Sequence, residues 1–106
     1  MAERLPHDRG DESQKMAVMN TWLDGVCAEL GVERSVMDAN APGLLRLISD
    51  VAHGPTRPGA PLTAFLVGLA GAGASVDPAE QARVVATSIT AVESLVAAWP
   101  AADATA

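Results

Sequence analysis

The chain has 106 residues, 49% hydrophobic and 19% charged, a balance that suits a globular domain and not a disordered one. Its formal net charge is −6. Nucleic-acid binding needs Lys and Arg to displace counterions along the phosphates, and after Arg57 the only basic residue is Arg83. No basic stripe can form on the C-terminal half, which argues against general DNA or RNA binding and against docking on an anionic membrane.

Residues 1–15 are mostly polar, contain Pro6 and Gly10, and show no apolar period, so we expect a disordered arm there. They lack the charged-then-apolar layout of a signal peptide. Cys27 is the single cysteine, so no intramolecular disulfide can form. A cytoplasmic protein is the expectation from both facts. The composition, with one lysine against six arginines and abundant Ala, Gly and Val, suggests a bacterial source.

Met16, Met19, Trp22, Leu23, Val26, Cys27 and Leu30 recur at spacings of three and four, which predicts a first helix over about 16–30. Gly31 stands where a left-handed residue commonly ends a helix. Residues 32–43 read as a connector with one helical turn at Arg34–Asp38. A second helix then opens at Asn40 or Ala41 with Pro42 in its first turn. It carries Leu44, Leu45, Leu47, Ile48, Val51 and Ala52 over a wide apolar arc, and Gly54–Pro55 end it.

The segment from Gly54 to Pro61 holds three prolines and two glycines, so it is read as a rigid elbow. Pro61 starts a third helix, in which Leu62, Phe65, Leu66 and Leu69 form an i, i+3, i+4, i+7 set. Ala64 and Gly68 leave a shallow opposite side for close packing. The run from Ala60 to Val76 is too short and too glycine-rich for a membrane span. Asp77, Pro78 and Glu80 have the layout of an N-cap and capping box for a fourth helix. Val85, Ser88, Ile89, Val92, Leu95, Val96 and Trp99 form its stripe, and Pro100 stops it. The expectation is an all-α, four-helix bundle-like single domain over 16–99, with a disordered tail over 100–106. A domain of that size buries only about 60–65% of its unfolded surface, so a homodimer or a larger partner over one face is expected.

The candidate chemistry is sparse. Cys27 lies on the apolar stripe without a base beside it and reads as a buried structural thiol. Two histidines in no His-x-x-x-His or Glu-x-x-His pattern give no metal site. No glycine-rich phosphate cradle follows a strand. We therefore assign no catalytic, metal or cofactor-binding residues, and the chain reads as a non-enzyme.

One polar constellation stands out: Arg46, Asp50 and His53 on one helical strip, with Arg57 beyond them on the elbow. Two guanidinium groups, a histidine and an orienting aspartate could hold a phosphate or carboxylate. The same residues also read as ordinary i, i+4 and i, i+3 pairs, with a dipole-favoured histidine in the last turn. Trp22 and Trp99 read as core, and Trp99, at the end of its helix, is also the candidate interface residue.

Asp50-Val51-Ala52-His53, Arg57-Pro58 and Ala60-Pro61-Leu62-Thr63 make a specific pattern, preceded by Trp22-Leu23 and Cys27–Gly31. Over roughly residues 20 to 99 this resembles a small bacterial family of all-helical domains without an assigned activity. That family occurs alone or beside MobA-type nucleotidyltransferases, which attach a guanine nucleotide to the molybdenum cofactor. The resemblance implies a non-enzymatic accessory or docking role in molybdenum-cofactor maturation, with the His53–Arg57 rim facing a nucleotidyltransferase partner or its anionic ligand. The alternatives are a self-associating helical protein without a ligand, and a small anion-binding protein or enzyme using His53 and Arg57.

Overall fold

The structure, a computed structural model, describes the backbone of residues 4–100 and side-chain burial for residues 11–100; the tail expected over 101–106 lies outside the described residues. Among the described residues it is all-α, with four helices: α1 (Arg4–Leu30), α2 (Arg34–His53), α3 (Gly59–Ala74) and α4 (Pro78–Ala98). The chain divides into two compact units, residues 1–34 and 35–106.

The first unit is α1 and its exit turn. The helix begins at Arg4, so residues 4–15, expected to be a disordered arm, are helical. Pro6 sits in the first turn, where a missing N–H is tolerated, and Glu12, Gln14, Lys15 and Met16 are good helix formers. The apolar period marked where a packed stripe starts, not where the helix does. Gly31 ends α1 as expected, with φ +66°. The Val32 N–H then reaches back to the Cys27 carbonyl at 3.0 Å, the six-to-one bond of a Schellman turn. Arg34 clasps this turn, donating to the Asp24 carboxylate at 2.6 Å and to the Asn20 side-chain and backbone oxygens.

In the second unit α2 is longer than the sequence reading. It runs through Pro42, and Arg34–Asp38, expected as an isolated turn, forms its opening turns. Pro42 deletes one bond of the helical ladder, and the neighbouring side chain of Asn40 binds this part of the helix to α4. Asn40 is buried and gives its two amide hydrogens to the Val36 carbonyl at 3.2 Å and the Ala82 carbonyl at 3.0 Å. A buried side chain with both donors placed stabilises by roughly 1 kcal/mol per bond.

Along α2 the neighbours on α4 advance in step: Asn40 with Ala82, Gly43 with Ile89, and Gly54 with Val96. The two helices are therefore parallel, and α3 returns antiparallel between them in sequence. Leu47, Val51, Ala60, Val67, Val85 and Ile89 make the core, two from each helix, with Val36, Leu44, Ile48, Ala52, Val92 and Val96 packed around it. Leu45, assigned to the buried arc, faces outward because α2 is covered over a narrower sector than its apolar arc.

The elbow is residues 54–58, because Gly59, Ala60 and Pro61 enter α3. Its backbone is tied at both ends: the Gly54 and Thr56 N–H groups bind the Asp50 and Val51 carbonyls, and the Ala60 N–H binds that of Arg57. The start of α4 keeps Asp77 at the N-cap position and Pro78 at the first, but the capping box does not form. The work passes to Ser75, whose hydroxyl accepts from the Asp77 N–H at 3.0 Å and whose carbonyl accepts from Gln81 Nε2 at 2.7 Å. Glu80 turns instead to Arg83, which lowers the Glu80 pKa by direct hydrogen bonding.

Candidate functional site

The largest difference between expectation and structure is on α3. The Leu62, Phe65, Leu66 and Leu69 set is exposed, and the helix buries its small side, Ala60, Val67 and Gly71. The reason is close approach. A Cβ added to Gly71 would lie 2.5 Å from Val85 Cγ2 and 3.1 Å from the Gln81 carbonyl oxygen. Such proximity admits no side chain at that point, and it fixes which face of α3 meets α4. Gly68, expected on the close-packed side, has open space around it.

Leu62, Phe65, Leu66, Leu69 and, on α4, Leu95 are each between 53% and 67% exposed. Leu66 and Leu95 border a groove of about 410 Å³ between α3 and α4, lined also by Ala70, Ser88 and Ala91. No ionisable residue lines it. Trp99, one turn beyond Leu95, is 59% exposed, so the core assignment fails for it. Trp22 is also a correction: it is 69% exposed on α1, where it lines a second shallow hollow with Gly25, Val26, Glu29 and Leu30. Cys27 is half-buried, not buried.

On the polar strip of α2, His53 lies in the last turn as expected, but its hydrogen bonds are not to Asp50. His53 is exposed, and its Nδ1 lies 2.8 Å from the Ser49 carbonyl and 3.4 Å from the Ser49 hydroxyl. A carbonyl only accepts, so Nδ1 is the donor in that contact. His53 is thus oriented by its own helix and not by Asp50. Asp50 turns instead to Glu93 of α4, a residue the sequence reading passed over. Burial raises the pKa of Glu93, a hydrogen bond to Asp50 and the Asp50 charge raise it further, and Arg46 opposes them. Arg46 and Asp50 thus both act on Glu93 across the helix pair, while Arg57 is exposed on the elbow. Glu93 had one sequence signal, a carboxylate four residues after Ile89 on the edge of the α4 stripe.

Among the described residues no group of three or more His, Cys, Asp or Glu side chains is placed to hold a metal. None of the helices there is long and apolar enough to cross a membrane.

The fold defines a small all-α domain that leaves large apolar side chains of α3 and α4 open to water. The chain belongs to the family described as a domain of unknown function, DUF6457, whose model matches residues 14–104. Comparison with curated proteins and with solved structures gives no significant match.

Proposed function

We propose that this chain is a non-enzymatic docking domain that acts through protein–protein contacts. The observation that carries the proposal is the uncharged face of Leu62, Phe65, Leu66, Leu69 and Leu95, left open to water by a fold that buries the small side of α3. Apolar patches of that kind mark interaction sites when they are contiguous. The exposed side chains of Arg46, His53 and Arg57 supply a second, polar surface at the end of α2 and on the elbow. Guanidinium groups there suit carboxylates or phosphates on a partner. The resemblance to domains found beside MobA-type nucleotidyltransferases supports an accessory role in molybdenum-cofactor biosynthesis, with that enzyme meeting the polar rim.

The test is calorimetric titration of the purified protein into a purified MobA-type guanylyltransferase. Wild type, a His53→Ala/Arg57→Ala double variant and Leu66→Asp are compared, each checked for helicity. Stoichiometric binding that the double variant loses supports the rim as the docking surface. Absence of binding by wild type removes the molybdenum-cofactor context. Binding untouched by either variant places the contact elsewhere and refutes both surfaces.

A further inference from the structure

We infer that the α3–α4 face is covered by a second copy of this chain, related to the first by a two-fold axis. This rests on reading that face as a docking surface and names its occupant. Three observations converge on the same partner.

The first is area. At roughly 60% exposure, side chains of this size each leave on the order of 100 Å² bare, so Leu62, Phe65, Leu66, Leu69, Leu95 and Trp99 leave roughly 600 Å². A stable interface buries at least about 600 Å² per partner. Only taken together do these six side chains reach the lower edge of what a dimer needs.

The second is shape. A two-fold contact uses the same patch on both copies, so the patch must carry both ridge and groove. Here it does. The exposed side chains of Leu66 on α3 and Leu95 on α4 stand as ridges at the rim, and between them lies the groove with its short residues Ala70, Ser88 and Ala91. The ridge of one copy can enter the groove of the other, and the reciprocal contact follows from symmetry.

The third is polarity. The groove has no ionisable residue with which to recognise charged flanks on a foreign helix. A second copy brings an equally uncharged face. Thr63, the most polar residue of the lining on α3, already donates its hydroxyl hydrogen to the Gly59 carbonyl at 2.8 Å, so covering it leaves no orphaned donor. Each copy carries a net charge of −6, which repels at long range but is screened by salt over about 8 Å at physiological ionic strength.

Sedimentation equilibrium of the full chain from about 1 µM to about 1 mM reads the result directly. The expected outcome is a monomer–dimer equilibrium that tightens as salt is raised, the opposite of what a contact between unlike charges does. Leu66→Asp or Leu95→Asp should weaken it at least about thirtyfold, the scale of an interface hot spot. Leu66→Ala, which adds no charge and keeps an exposed position exposed, should weaken it about tenfold. Val76→Asp, at a fully exposed loop position outside the lining, should leave it unchanged. A wild type that stays monomeric throughout, or a dimer indifferent to the changes at Leu66 and Leu95, overturns the inference. A monomeric wild type that binds the nucleotidyltransferase, with Leu66→Asp abolishing that binding, overturns the second copy as occupant while the docking surface stands. If Leu66→Asp alters neither association, the face is not a docking surface at all.

Discussion

The same substitution at two glycines of α3, three residues apart, should have opposite effects. Gly68 has open space where a Cβ would go, so Gly68→Ala gains helix propensity alone, about 0.8–1.0 kcal/mol. Gly71→Ala gains the same propensity but places its methyl 2.5 Å from Val85 Cγ2 and 3.1 Å from the backbone oxygen of Gln81. Val85 is buried and β-branched, with one strongly preferred helical rotamer, so it cannot swing clear. The helices must separate by about an ångström, and overpacking of this kind costs about 1–3 kcal/mol. The two variants should therefore differ by about 1–3 kcal/mol, with Gly68→Ala above wild type and Gly71→Ala at or below it. For a domain near 100 residues each kilocalorie moves Tm by about 4–8 °C, so thermal unfolding followed by circular dichroism resolves the pair. If both variants rise in Tm by the same amount, the close approach of α3 to α4 at Gly71 is wrong. The assignment of the exposed face of α3 would fall with it.

Leu47 is fully buried at the centre of the core, and Leu47→Ala should cost about 2–5 kcal/mol in urea unfolding. A loss under about 1 kcal/mol would mean that the core is not where α2, α3 and α4 place it. Glu93 gives a pH test: its pKa in the folded state is raised above the ordinary 4.5, so the folded chain holds that proton more firmly than the unfolded one. The stability this contributes is present below the ordinary value and is lost as pH rises through the raised one. Glu93→Gln, which keeps a neutral partner for Asp50, should be more stable than wild type at about pH 7, and its advantage should vanish toward about pH 4. Stabilities of the two proteins that keep a constant difference across that range would refute the raised pKa of Glu93, which burial and then Asp50 produce.

Much of the secondary structure was legible in the residues. Gly31 as a left-handed terminator, the Gly54 stop, the proline elbow and Asp77-Pro78 as a helix start all rest on single-residue backbone chemistry. The misplaced boundaries lie where propensity and a tertiary bond override such signals. Residues 4–15 are helical without an apolar period, and α2 continues through Pro42 while Asn40 ties that stretch to Ala82 on α4. Within the candidate site, the spacing placed Arg46, Asp50 and His53 on one strip but could not pair Asp50 with Glu93. Those two residues meet only because α2 and α4 run parallel.

Periodicity determines that a helix forms and which residues share a face, because those depend on neighbours three and four positions away. It determines which face is buried only when one side is polar. On α1 the apolar stripe was evident, yet Trp22 on it is exposed, because a stripe names what could be covered and not what covers it. Segment α3 has no charged residue on any side, so its sequence pattern holds no choice between the leucine side and the small side. The choice was made by packing against Val85 and Gln81, where only a glycine admits the approach, and it left the leucines outside. The surface on which the proposed function rests is thus a product of tertiary contact, decided by the fit of one helix on another.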